Sequence, residues 1–301
     1  MNVDENWRLL VKSVDGTEII SVTELPRREE TDILVTCTSG KKHLLRKESQ
    51  QVSLLRQKWG YEQLTRNGLP CPEVERYVPP TADYPQGCLV ISWLDGIPAG
   101  EIIEREGTGK TSYHLCREMG RLLRGLHETP VTGPVPDYIF SSTRNDAHNF
   151  AIHCAGTLKD ASLVDERFVS LFMRLVEPYI ERIPHPAPQN LCFSDMHFSN
   201  VLFYDEHPPR IAGFVDVEEI GVGWPLWDFT NWECWGIRFF GNWTRQHILQ
   251  GYGPVDMDML RMAVLVRLAR PVTFTGSTRQ QIQRAVEEQD ISAFDLNALY
   301  K

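Results

Sequence analysis

The stretch that most constrains this chain is Phe193-Ser194-Asp195-Met196-His197-Phe198-Ser199-Asn200, followed some way on by Gly213-Phe214-Val215-Asp216. Between them, Asn200-Val201-Leu202-Phe203-Tyr204 and Ile211 to Val215 are β-prone runs flanking Asp205-Glu206-His207-Pro208-Pro209, which has turn composition. The segment therefore reads as a hairpin. Asp195 and Asn200 sit before its first strand and Asp216 just after its second, so any fold that keeps the hairpin can bring the three side chains together. These are the groups that phosphoryl transfer from a magnesium-bound nucleotide requires. The first carboxylate can orient and deprotonate a hydroxyl, while the amide and the second carboxylate can hold Mg2+. A bare Asp-x-x-x-x-Asn carries little information; the hairpin and the aspartate behind it supply the specificity.

Composition narrows the partners. With 301 residues, 42% hydrophobic and 24% charged, the chain can build two lobes with real cores. No apolar run approaches the roughly 18–20 residues of a membrane helix. Met1-Asn2-Val3-Asp4-Glu5-Asn6-Trp7 has neither the basic end nor the apolar centre of a signal peptide, so a cytoplasmic protein without membrane association is expected. A formal charge of −9 argues against nucleic acid as a partner and suits a cationic one. The seven cysteines are odd in number and lack CxxC spacing, which predicts reduced core residues rather than a disulfide framework or structural zinc.

Along the chain, the first hundred residues read as strands around one helix. Ile33 to Cys37 and His43 to Arg46 are strands joined by Thr38-Ser39-Gly40-Lys41-Lys42, and Gln50 to Asn67 carries Val52, Leu55, Trp59 and Leu64 in an amphipathic pattern. Cys88 to Leu94 is an apolar strand stopped by Asp95-Gly96. Beyond Gly96 the character is helical: Tyr113 to His127, Ala161 to Ile183 and Met257 to Leu268 show helical spacing, and Thr129 to Arg144 reads as a loop.

At Asp216-Val217-Glu218-Glu219-Ile220-Gly221-Val222-Gly223-Trp224-Pro225-Leu226-Trp227-Asp228-Phe229 the sequence resembles aminoglycoside phosphotransferases and their choline-kinase-like and hygromycin-kinase-like kin. Asn67-Gly68-Leu69-Pro70-Cys71-Pro72-Glu73-Val74 resembles the family's linker, Leu89 to Gly96 its hinge, and Met119 to His127 its Gly-x-x-Leu-x-x-Leu-His helix. The resemblance spans roughly residues 17 to 236. It implies an α+β, protein-kinase-like bilobal fold, with a small β-rich N-lobe over 1–94 and a mostly helical C-lobe over 95–301. It also implies ATP and Mg2+ as cofactors and a small-molecule hydroxyl acceptor as partner. Asp195 becomes the catalytic base, Asn200 and Asp216 the magnesium ligands, and the backbone at Ser92, Trp93 and Leu94 the receiver of the adenine.

Several positions depart from the family. Phe193 replaces a histidine, Ser194 a glycine, and Trp224 the aspartate before Pro225. The N-lobe lysine falls at Arg46 or Lys47, its acidic partner falls near Arg56 and Gln57, and Glu62 is the only acid on that helix. Leu25-Pro26-Arg27-Arg28-Glu29-Glu30-Thr31 stands where a glycine-rich loop would close over phosphates and contains no glycine; Arg27 or Arg28 is expected to help there. His197 is read as a hydrogen-bonding neighbour of the catalytic loop, and His127 as a packed residue at a helix end.

Glu218, Glu219 and Asp228, with Trp232 and Trp235 among the clustered aromatics, form the expected receptor for an ammonium group on the acceptor. Asp228 also matches the family's Asp-Leu-Ala aspartate, which implies a bracing role. Two competing readings are an inactive nucleotide-binding pseudokinase, suggested by the departures above, and a metal-dependent hydrolase built on Asp195, His197 and Asp216.

Overall fold

A computed structural model of the protein describes residues 3–27, 30–48, 50–82, 84–85 and 87–299. The N-terminal part runs α1 (Val3–Asp15), β1 (Ile19–Arg27), β2 (Glu30–Cys37), β3 (Lys42–Arg46), α2 (Gln51–Arg66), β4 (Val74–Val78) and β5 (Cys88–Ser92). The strands form one five-stranded antiparallel sheet in the order β1-β2-β3-β5-β4. The expected hairpin is β2–β3, closed by the Cys37 amide donating to the Lys41 carbonyl and the Gly40 amide to the Cys37 carbonyl, both at 2.9 Å.

Side-chain alternation gives the sheet two apolar faces. Val35, Cys37, Leu45, Cys88 and Val90 face a small core completed by Trp7, Leu10 and Val11 of α1. Leu44, Leu89 and Ile91 face the larger core shared with α2 and the helical part. Helix α1 was not expected: the sequence reading placed only one helix in this region. Its signal is present in Trp7, Leu10, Val11 and Val14, spaced i, i+3, i+4, i+7.

The C-terminal part contains β6 (Ile97–Pro98), α3 (Ala99–Glu106), α4 (Lys110–His127), β7 (Phe140–Ser142), α5 (Arg144–Asp160), α6 (Glu166–Ile180), β8 (Leu191–Cys192), β9 (Val201–Phe203), β10 (Ile211–Phe214) and β11 (Gly221–Gly223). A 3-10 turn at Pro225–Trp227, α7 (Asp228–Trp232), a π-helical turn at Glu233–Ile237, α8 (Arg238–Phe240), α9 (Asn242–Tyr252), α10 (Met257–Leu268) and α11 (Gly276–Glu288) complete it. The architecture is the α+β, protein-kinase-like bilobal one.

Two expectations change in detail. The helix expected over Ala161 to Ile183 begins only at Glu166, because Asp165 caps it by accepting from the Phe168 amide at 2.8 Å. The loop expected over Thr129 to Arg144 contains β7, which pairs parallel with β11. Helices α4 and α9 touch backbone to backbone: a Cβ on Gly120 would meet the Ile248 carbonyl oxygen at 2.1 Å, and one on Gly251 the Arg117 carbonyl oxygen at 1.9 Å. That close contact seats Tyr252 beside His127, under the loop that carries Asp195. No helix among the described residues is long and apolar enough to cross a membrane. All seven cysteines are free; six are buried and Cys71 is half-buried.

Candidate active site

The hairpin β9–β10 sets the geometry as its sequence implies. The Asn200 side-chain amide donates to the Asp195 carbonyl at 3.0 Å, and the Val215 amide donates to the Asn200 carbonyl at 3.0 Å. Asp195 and Asn200 are therefore tied to the segment that leads from β10 into Asp216. Ser194 and Asp216 have φ of +66° and +58°, in the left-handed region that non-glycine residues rarely adopt. The family's glycine position is thus one where the backbone conformation itself favours glycine, and Ser194 adopts it nonetheless.

Asp228 holds the catalytic loop from below. Its carboxylate is 0% exposed and accepts from the Phe193 amide at 2.6 Å, the Ser194 amide at 2.8 Å and His127 Nε2 at 2.9 Å. The other nitrogen of His127 lies 2.9 Å from the Tyr252 hydroxyl. With both oxygens engaged and no exposure, Asp228 is a brace and not an ammonium ligand. Trp232 is likewise fully buried, packed between Phe198 and Phe229, and lines no acceptor cavity. These two residues leave the expected ammonium receptor. The Trp235 side chain lies outside the described residues.

One turn beyond Asp228, Asn231 presents its amide to the loop. Its Nδ2 donates to the Ser194 carbonyl and to Asp195 Oδ1, the latter at 3.3 Å. Its Oδ1 accepts from Arg267 Nη2 at 2.6 Å. Neither Asn231 nor Arg267 was expected from the sequence, although the i, i+3 spacing from Asp228 puts Asn231 on the same helical face. His197 Nε2 stands 3.5 Å from Asp195 Oδ2, while its Nδ1 accepts from the Ser199 amide at 3.2 Å. Accepting at Nδ1 assigns the ring proton to Nε2, facing the aspartate.

The N-lobe cation is Arg46. Its guanidinium donates to Asp32 Oδ2 at 3.1 Å, to Gln57 Oε1 at 2.8 Å and to Asp216 Oδ1 at 3.1 Å. Gln57 in turn donates to Glu48 at 2.9 Å. Burial alone would lower the pKa of Arg46, but its acidic neighbours, the Tyr61 phenol and the carboxylates of Asp32, Asp216 and Glu48, outweigh it and raise it. The uncertain ion pair is thus resolved as an arginine with a glutamine on α2, the charges being supplied by Asp32 and Asp216. Glu62 instead faces Lys58 at 2.6 Å. Lys47 lies beyond the end of β3, and its charge acts on Cys88 on the α1 side of the sheet, so it does not share the Arg46 position.

Helix α2 reaches the loop after Asp216 because Gly60 lets it: a Cβ there would meet Ile220 Cγ2 at 2.3 Å. Next to it, the buried Tyr61 hydroxyl accepts from the Asp216 amide at 3.2 Å, and burial pushes its pKa up to about 12.

Two cavities flank this constellation. One, of about 200 Å3, is lined by Leu25, Leu44, Ile91, Leu202 and Val215 on apolar walls, by Ser92, Trp93 and Leu94 along one edge, and by Asp32 and Arg46 at its polar end. The Ser92 and Trp93 amides are already donated to the Glu73 and Lys42 carbonyls at 2.9 Å. The other, of about 240 Å3, is lined by Phe140, Phe150 and Trp227 with Asp146, Ser194, Glu219, Asn231 and Arg267. Burial first, then the charges of Asp195 and Glu218, push the Glu219 carboxyl above its ordinary range, opposed by Arg267 and Arg56. Glu218 points elsewhere, accepting from the Ser53 hydroxyl at 3.2 Å. Of Arg27 and Arg28, one of which was expected to aid phosphate binding, the Arg27 side chain and the whole of Arg28 lie outside the described residues.

Comparison with known proteins agrees with this geometry. The model of the phosphotransferase enzyme family matches residues 34–263, and the chain belongs to that family. It is a small-molecule phosphotransferase by that membership. A search of curated proteins found no match. Among solved structures it is similar to the streptomycin–ATP complex of APH(2")-IIa, at 14% identity, 98% of this chain, 99% of that chain and a TM-score of 0.59. It is similar also to an aminoglycoside phosphotransferase assigned in Ralstonia eutropha, at 15% identity over 97% and 96% with a TM-score of 0.62. A thermostable mutant of APH(4)-Ia with AMP-PNP and hygromycin B matches at 16% identity, 97% and 95%, TM-score 0.56. At these identities the likeness is one of fold.

Proposed function

We propose that the protein transfers the γ-phosphoryl group of magnesium-bound ATP to a hydroxyl of a small, amine-bearing molecule. The observation that carries this is the hairpin itself: it binds Asn200 to Asp195 and places Asp216 against Arg46 beside an apolar cavity. Asn200 and Asp216 offer an amide and a carboxylate oxygen, the hard donors that suit Mg2+ over softer metals, so this pair fits the ion. Bound there, the ion would neutralise charge on the phosphates. The cavity between Leu25 and Leu44 on one side and Leu202 and Val215 on the other suits a planar base, with Leu94 at its edge and Arg46 toward the phosphates. We place the boundary between the lobes after Leu94.

In this reading Asp195 orients the acceptor hydroxyl and takes its proton, while Asn231 and the Nε2–H of His197 hold the carboxylate in place. Phe140, Phe150 and Trp227 exclude water from the acceptor side. Glu219, its pKa raised beside the charges of Asp195 and Glu218, would gain from a bound ammonium that offsets the crowded negative charge. The solved relatives holding streptomycin or hygromycin B make amino sugars one natural acceptor class to try. Asp195→Asn should lower turnover by on the order of 10³-fold or more while nucleotide affinity stays within about twofold, because only acceptor positioning and the base are lost. Turnover near wild type in that variant would overturn the assignment.

A further inference from the structure

The strand pairing that builds the N-terminal sheet also gathers a second set of chemical groups, on the face opposite Arg46. His43 pairs with Val35 across the β2–β3 ladder, two residues before Cys37. Both side chains therefore project onto the face that α1 covers, where Asp15, the last residue of α1, meets them. One donor atom from each of Asp15, Cys37 and His43 lies within 4.8 Å of the other two.

The imidazole of His43 is buried between two carboxylates. Its Nδ1 is 2.6 Å from Glu75 Oε2, while its Nε2 stands 3.5 Å from Asp15 Oδ2 and has no hydrogen-bond partner. The side chains of His43 and Asp15 are each 1% exposed. A carboxylate on the far nitrogen fixes the tautomer and orientation of a ligating histidine, leaving the other nitrogen's lone pair for the metal. Zinc bonds of about 2.0–2.3 Å at tetrahedral angles put neighbouring donors roughly 3.3–3.7 Å apart, so the observed 3.5 Å is already an edge of such a site. A thiolate, an imidazole and a carboxylate together suit Zn2+ and do not suit Mg2+.

We propose that Asp15, Cys37 and His43 bind one zinc ion, with Glu75 orienting His43 and water completing the coordination. The ion clips the end of α1 to the β2–β3 hairpin. Binding forms the Zn–S bond as the Cys37 thiol proton leaves to solvent. The ligands are far apart in sequence, with only Cys37 and His43 on one hairpin, so motif spacing does not announce them.

Full-length protein, stripped with a chelator, would be titrated with Co2+ and then with Zn2+. One equivalent of Co2+ should give a thiolate-to-cobalt charge-transfer band that Zn2+ displaces. Cys37→Ser should abolish the band. Glu75→Gln should weaken zinc about 10–100-fold, and Cys37→Ser by more than that. Asp216→Ala should leave the band and the zinc affinity unchanged, separating this site from a divalent ion at Asn200 and Asp216. The absence of the band in the wild-type protein overturns the proposal without reference to any variant's folding. So does zinc binding that survives Cys37→Ser or depends on Asp216.

Discussion

The cavity at Arg46 and the cavity at Glu219 differ in how the chain supplies their walls. The first is built from strands and the segments joined to them: Leu44 and Arg46 on β3, Ile91 and Ser92 on β5, Leu202 and Val215 at the hairpin. Its chemistry is simple, apolar faces with Arg46 and Asp32 at one end. The second takes Phe140 to Ser142 from a strand inside a loop, Asp146 and Phe150 from α5, Asn231 from α7 and Arg267 from α10. It mixes carboxylates with an arginine and aromatic rings. Strand walls give the first cavity its apolar faces, whereas α5, α7 and α10 bring Asp146, Asn231 and Arg267 to the second from segments distant in sequence. Between them Asp228 fixes the loop that carries Asp195.

Breaking that brace should have the largest effect. Asp228→Ala leaves the Phe193 and Ser194 amides and His127 without their buried acceptor. A destabilisation of about 3–5 kcal/mol is expected by chemical denaturation, with turnover lost for every acceptor. If only the KM of amine acceptors rose, at unchanged stability, Asp228 would be a substrate ligand after all.

On the nucleotide side alone, Arg46→Lys keeps the charge and loses the fork that serves Asp32, Gln57 and Asp216 together. The nucleotide KM should rise roughly 10–100-fold with the acceptor KM unchanged. An equal rise in both would merge the two halves that the geometry separates.

The acceptor side gives the smallest effect. Glu219→Gln should raise the KM of a cationic acceptor about tenfold, roughly 1.4 kcal/mol, and leave the nucleotide KM alone. The cation needs the ionised carboxylate, and Glu219 has a raised pKa. Acceptor kcat/KM should therefore fall as pH drops through that raised pKa, at a higher pH than for an ordinary glutamate. In Glu219→Gln this limb should flatten. Neutral acceptors used as well as cationic ones, with the limb retained in the variant, would remove amine recognition.

The same contrast explains what could be read in advance. Asp195, Asn200 and Asp216 lie on one hairpin, and local strand and turn chemistry was enough to place them side by side. Arg46 could be narrowed to two neighbours, and alternation along β3 decides between it and Lys47 only once the sheet is known. Asp228 was legible as either brace or ligand, and its complete burial settles it. Trp232 belongs to the core because aromatic side chains near a site are more often packing than lining. Arg267 lies 72 residues beyond Asp195 in the chain and reaches it through Asn231, a juxtaposition that depends on the packing of α10 against α7 and α5. Helix α1 escaped for the opposite reason: four apolar positions in a polar stretch are a weak signal until the sheet face they cover is known.

The central claim is transfer of a phosphoryl group to a hydroxyl at Asp195, and it is tested most directly by the product. The protein would be incubated with ATP and Mg2+ against a panel of amino sugars, amino alcohols, nucleosides and neutral sugars, and every acceptor weighed by mass spectrometry. The account predicts a gain of one phosphoryl mass on an amine-bearing acceptor, dependent on Mg2+ and lost in Asp195→Asn. ATP bound tightly, with no phosphorylated product from any class at enzyme concentrations approaching those of the acceptor, would contradict it.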